Sequence, residues 1–112
     1  MKHFVLASVV GAALLGAAGT GFAADDSKTL EEGKALFTSK AVPACAVCHT
    51  LQDAGATGAI GPNLDELKPD LARVKKVLAE GMGVMPSFAA SLDEASRDAV
   101  AAYVVHATGG AQ

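Results

Sequence analysis

Cys45-Ala46-Val47-Cys48-His49 is the stretch on which the reading of this chain turns. Two thiols three positions apart fall on one turn of helix and face the same way, and an imidazole follows at once. Three ordinary explanations compete for such a pair. A zinc ribbon needs a second pair of ligands, and the chain has no further cysteine. A thiol–disulfide redox pair needs a strand–turn–helix setting, and no strand pattern precedes Cys45. A structural disulfide across two residues closes only a small loop and leaves His49 without a purpose.

Covalent haem attachment accounts for all three side chains, and C-x-x-C-H is its motif. One turn of helix lets both thiols add to the two vinyl groups of one porphyrin. The next residue then carries a neutral imidazole, a good iron ligand, to the metal.

The N-terminus supports this reading. Met1-Lys2-His3 is a short basic start, residues 4–18 carry no charge, and Gly19-Thr20-Gly21-Phe22-Ala23-Ala24 lead into Asp25-Asp26. Basic, apolar and small-residue regions in that order form a secretory signal peptide. A cut after Ala23 places Gly21 and Ala23 where small side chains are needed; a cut after Ala24 would place Phe22 there. The expected division is a signal peptide over residues 1–23, which takes His3 with it, and a domain over residues 24–112. The alternative is an uncleaved anchor, since residues 4–24 are long enough to span, but they are mostly Ala and Gly and lack a basic stop-transfer flank. With cleavage no membrane span remains, and the location expected is periplasmic, where haem attachment to such motifs takes place.

Removal of Lys2 leaves 8 basic residues against 12 acidic ones, a formal charge of −4. An acidic surface argues against nucleic-acid binding. The aromatics left are only Phe37, Phe88 and Tyr103. So short a domain with so few large apolar side chains usually needs a staple or a cofactor.

Three stretches read as helices. Residues 28–39 carry Leu30, Gly33, Leu36 and Phe37 at 3/4 spacing. Residues 70–80 carry Leu71, Val74, Val77 and Leu78 and end at Gly81. Residues 92–107 follow a capping box of Ser91 and Glu94, with Ala95, Ala99, Ala102, Tyr103 and His106 or their neighbours as the expected buried stripe and Gly109-Gly110 as the stop. Between the first two, residues 42–69 are rich in Gly, Pro and Ala and show no strand-like alternation. So long an irregular stretch inside one domain needs something to wrap around. The expected fold is all-α with large loops.

With these elements in place the chain resembles the class I cytochrome c family over nearly all of residues 24–112. The likeness rests on three motifs in order: Cys45 to His49, then Gly61-Pro62-Asn63-Leu64, then Met85-Pro86-Ser87-Phe88. It implies about three main helices with long loops wrapped around one covalently attached haem c. It implies that Pro62 offers its carbonyl to the His49 Nδ1–H, and that Met85 is the sixth ligand beside His49. Met82 is the neighbouring alternative, and His106 reads as an ordinary helix-end histidine. The resemblance places Cys45, Cys48, Pro62, Leu64 and Tyr103 against the haem, and pairs the first and last helices through Gly33, Phe37 and Tyr103.

Two axial ligands leave iron no open position, so the activity implied is single-electron transfer between redox partner proteins, not enzymatic catalysis. A haem enzyme or gas sensor would need an open or displaceable distal side, and no His or Arg stands at a recognisable place to polarise peroxide. A fixed haem subunit of a larger oxidoreductase differs from a free carrier only in its partner. The stretch from Cys45 to Phe88 is loosely similar to cytochromes that serve periplasmic sulfite dehydrogenases, which makes a periplasmic dehydrogenase one expected partner. Lys68, Arg73, Lys75 and Lys76 form either a docking patch or the solvated face of a helix.

Overall fold

The structure is a computed structural model that describes Gly11, Gly16 and residues 21–112. The expected signal peptide lies outside the described residues apart from those two glycines and positions 21–23, which are helical. Among the described residues no helix is long and apolar enough to cross a membrane.

Five helices carry the fold. Helix α1 is Gly21–Ala35, α2 is Cys45–Cys48, α3 is Leu64–Leu67, α4 is Leu71–Glu80 and α5 is Glu94–Thr108. Two-residue strands, β1 (Thr50–Leu51) and β2 (Ala56–Thr57), pair antiparallel with Thr50 opposite Thr57 and Leu51 opposite Ala56. They were not visible in the sequence because alternation needs more than two residues to show.

Helix α1 does not stop at Ala35 but widens into a π-helical turn over Leu36–Lys40. The Thr38 hydroxyl donates to the carbonyls of Lys34 and Ala35, at 2.9 and 3.3 Å. It thereby takes carbonyls from the α-helical ladder, and the Ala41 N–H closes on Leu36 O five residues back, at 3.1 Å. The turn buries Leu36 and Phe37.

Helix α4 forms as its pattern predicts. The Asp70 carboxylate caps it by accepting from the Arg73 N–H at 2.8 Å, and Gly81, with φ 75°, ends it. Leu78 is buried and Leu71, Val74 and Val77 are half-buried.

The start of α5 corrects the expected capping box. Ser91 lies in the preceding turn, where its N–H bonds Phe88 O at 3.2 Å, and Asp93 is the cap, accepting from the Ser96 N–H at 2.8 Å. That hydrogen bond holds the Asp93 carboxyl below its usual range. The buried stripe also differs. Ala95 and His106 are exposed and Ala102 is half-buried, while Ala99, Val100, Ala101, Tyr103, Val104, Val105 and Thr108 are buried. Helix α5 is packed by α1 on one side and α4 on another, so it buries a wide arc in place of a stripe.

The α1–α5 crossing is set by Gly33. A β-carbon there would overlap Ala99 O and stand 2.6 Å from Tyr103 Cβ, so only glycine allows the helices this close. Next to it Phe37 and Tyr103 meet edge-on, ring centroids 6.0 Å apart at 66°. Behind α5 the tail turns at Gly109 (φ 70°), and Ala111 O accepts from the Leu71 N–H at 2.9 Å, fastening the end of the chain to the start of α4.

Candidate functional site: an apolar cavity ringed by Cys45, Cys48, His49 and Met85

The irregular middle of the chain builds a cradle. Helix α2 is a single turn that carries both cysteines, and it ends as the His49 N–H bonds Cys45 O at 3.0 Å. The following hairpin turns through a 3₁₀ segment, Gln52–Ala54, and Gly55 at φ 63°. It is tied to α3 where Asp65 accepts from the Gln52 N–H at 2.8 Å, and α3 is capped by Asn63, which accepts from the Asp65 N–H at 3.0 Å.

His49 is held closely. Its Nδ1 lies 2.7 Å from Pro62 O; a carbonyl only accepts, so Nδ1 carries the proton and Nε2 keeps its lone pair. Gly61 donates its N–H to Cys48 O at 2.7 Å, and a β-carbon at Gly61 would lie 2.6 Å from the ring's Cε1. The absence of that atom is what lets the imidazole sit here.

These elements surround a cavity of about 320 Å³. Cys45, Cys48, His49, Pro62, Leu64 and Met85, all singled out from the sequence, lie on its wall. So does Met82, at the mouth and 62% exposed, together with exposed Ile60 and Val84. Tyr103 is not on the wall: its ring packs on Phe37, and its hydroxyl donates to Asp53 at 2.6 Å. His106 is exposed on α5 and away from the cavity.

Several wall residues were not foreseen. Phe37, Val100 and Val104 reach the cavity from the helical frame, and Arg73 is the only Lys, Arg, Asp or Glu among the described residues on its wall. Arg73 had counted as part of a surface patch, and nothing in a local pattern distinguishes it from Lys75, which pairs with Asp98 at 3.3 Å. Asp53 was missed because its partner Tyr103 stands 50 positions away; Lys34 also approaches it, at 3.5 Å.

The chemistry of the cavity suits a tethered, largely apolar macrocycle with a metal at its centre. Cys45 and Cys48 form no disulfide, so both sulfurs are available to a tethered group. Burial pushes the Cys45 thiol up to about 11, with the neighbouring Cys48 adding to the shift. One imidazole nitrogen with a free lone pair and the two thioethers of Met82 and Met85 line the cavity, and the remaining lining is mostly aliphatic or aromatic. Among the described residues no group of three or more His, Cys, Asp and Glu converges on a bare metal-ion site.

A family model described as "Cytochrome C oxidase, cbb3-type, subunit III" matches residues 28–104. Among solved structures, the c-type cytochrome SorU from Sinorhizobium meliloti is similar at 44% identity with a TM-score of 0.71, covering 77% of this chain and 98% of that one. No curated protein matches the chain. A match over most of the domain, in sequence and in fold, meets here with a cradle that fits the cofactor. The chain belongs to the cytochrome c family, in the group described as cbb3-type subunit III, and carries covalently bound haem c for electron transfer.

Proposed function

We propose that the protein is a one-electron carrier of the periplasm, exported by a signal peptide cut after Ala23, with Cys45 and Cys48 as the thioether anchors and His49 and Met85 as the axial ligands. It would work between a donor and an acceptor protein, with a periplasmic dehydrogenase as the donor class. The observation that carries the reading is that Cys45, Cys48, His49 and Met85 line one apolar cavity, with the His49 tautomer fixed by Pro62.

Haem c supplies the one-electron couple. The chain's own residues do the rest. The Pro62 carbonyl orients the imidazole and raises its basicity. The Met85 thioether, a soft donor, favours the ferrous state and so a higher potential. Leu64, Val100 and Val104 keep water from the interior, which limits reorganisation on electron transfer. Exposed Ile60, Met82 and Val84 give the mouth an apolar rim for a brief contact with a partner. Contacts of that redox kind are small and weak.

Two measurements on the protein exported from cells competent in cytochrome maturation test the proposal. The intact mass should equal residues 24–112 plus one haem. The oxidised protein should show the weak absorbance near the red end of the visible that marks Met–iron ligation. A high-spin spectrum would overturn the ligation and point to an open distal side.

A further inference from the structure

Met82 stands largely exposed at the mouth of the cavity, and its placement points to a use beyond the apolar rim. Met82 and Met85 face each other across a tight turn in which each N–H donates to the other's carbonyl at 3.0 Å. Gly83 sits at the first central position with φ 58°, and Val84 follows with negative φ, a pattern matching the hairpin turns that take glycine there. Residues paired in this way have Cα atoms about 5.5 Å apart and project their side chains from the same face. Both thioethers line the cavity, Met85 half-buried and Met82 62% exposed.

The turn is fixed at both ends. Gly81 N–H bonds Val77 O at 2.7 Å, Phe88 N–H bonds Leu78 O at 2.8 Å, and the Ser87 hydroxyl donates to Ala79 O at 2.6 Å. The backbone of Met82 is therefore held on α4, and only its unbranched, flexible side chain needs to move to come inward. Other candidates on the wall are spent or unsuitable. Cys45, Cys48 and His49 are committed, Arg73 offers no lone pair, and among the described residues no lysine lines the cavity. Met82 is the one uncommitted soft donor on that wall among the described residues.

We propose that Met82 is a reserve axial ligand, which takes the distal position when Met85 is lost from it. The inference rests on the ligation by His49 and Met85 proposed above. In the exchange the Met85 Sδ–iron bond breaks and a Met82 Sδ–iron bond forms; both thioethers are neutral, so no proton or electron is gained or lost. Its effect is to keep a displaced Met85 from leaving an open haem.

Four haem-loaded proteins decide it: wild type, Met82→Leu, Met85→Leu and the double variant, each oxidised and read at the Met–iron band. Met85→Ala is run in parallel, so that a packing effect of Leu is separated from ligation. Met82→Leu should match wild type. Met85→Leu and Met85→Ala should both keep at least about half of the band intensity, and the double variant should lose it. The idea is overturned if both Met85 variants are as bandless as the double. It is also overturned if Met82→Leu alone loses the band while the Met85 variants keep it in full, and in that case the ligation by Met85 fails as well.

Discussion

Replacing Gly33 with Ala sets two physical effects against each other, and the structure says which one wins. Helix propensity favours the change by about 1 kcal/mol, since Ala is the best and Gly among the worst helix formers. Packing opposes it. The new β-carbon would stand 2.6 Å from Tyr103 Cβ and 2.8 Å from the Ala99 carbonyl carbon, and would overlap Ala99 O. Ordinary contact begins near 3.4 Å, so α1 and α5 must part by at least about 0.8 Å to clear Tyr103 Cβ, and by more to clear Ala99 O. Two of the three clashing atoms are backbone and cannot rotate aside. A gap of that size forfeits a quarter to a half of the dispersion energy along the seam, including the Phe37–Tyr103 edge contact. Overpacking of this kind costs about 1–3 kcal/mol, and immovable backbone puts it at the upper end. The net expectation is a loss of about 2 kcal/mol, or roughly 8–16 °C in Tm for a domain of this size. Thermal and guanidinium unfolding of the haem-loaded protein, followed by far-ultraviolet circular dichroism, measures it. Glu31→Ala, on the exposed face of the same helix, serves as the control and should stay within about 0.5 kcal/mol. A Gly33→Ala protein as stable as wild type, or more so, would refute the close-crossing argument.

Asp93→Ala should cost about 1 kcal/mol of stability in denaturant unfolding, while Ser91→Ala should leave it within about 0.5 kcal/mol, because Asp93 alone caps α5. The hydrogen bond from Tyr103, and secondarily Lys34, holds the Asp53 carboxyl below its usual range. A carboxyl depressed in the folded state adds stability above its unfolded value, near 3.9, and that stability fades as pH falls through the folded value. Asp53→Asn should therefore flatten the decline of Tm between about pH 5 and pH 3, and Tyr103→Phe should flatten it in the same sense. Cys45→Ser combined with Cys48→Ser should leave a largely unfolded chain by circular dichroism; native helical content in that variant would contradict it.

What the sequence made legible was chemistry with short reach. The thiols and imidazole of residues 45–49 act through spacing within one helical turn, and Asp70 and Gly81 bound α4 through local backbone geometry. Where the reading slipped, a distant contact had decided the outcome. Ser91 and Glu94 make a sound capping box on paper. Phe88, however, folds back onto Leu78, draws residues 88–92 into a turn, and shifts the cap to Asp93. Tyr103 was placed against the haem because it matched a familiar position. In the structure its hydroxyl reaches a carboxylate 50 residues away, on the hairpin turn, which no local pattern announces. Arg73 differs from Lys75 and Lys76 only in how α4 is rotated over the cavity, a quantity that periodicity fixes no better than to a face.

The frame and the cradle are built differently, and that difference explains why the cofactor is also part of the interior. Helix α5 and the π-helical turn at Leu36–Lys40 supply more than half of the buried side chains, but Phe37, Leu64, Leu78, Phe88, Val100 and Val104 belong both to that core and to the cavity wall. Their inner surfaces face the cavity, so a group bound there would complete the packing of the core. The cradle itself is lightly tied. Its fixed points are single hydrogen bonds: Gly61 to Cys48, Gln52 to Asp65, Tyr103 to Asp53 and His49 to Pro62. Each contributes about 1 kcal/mol, enough to orient a ligand. The same few contacts thus fix the His49 ring on the wall of a cavity whose lining is also the core, so the group it would hold and the packing of the frame are one problem.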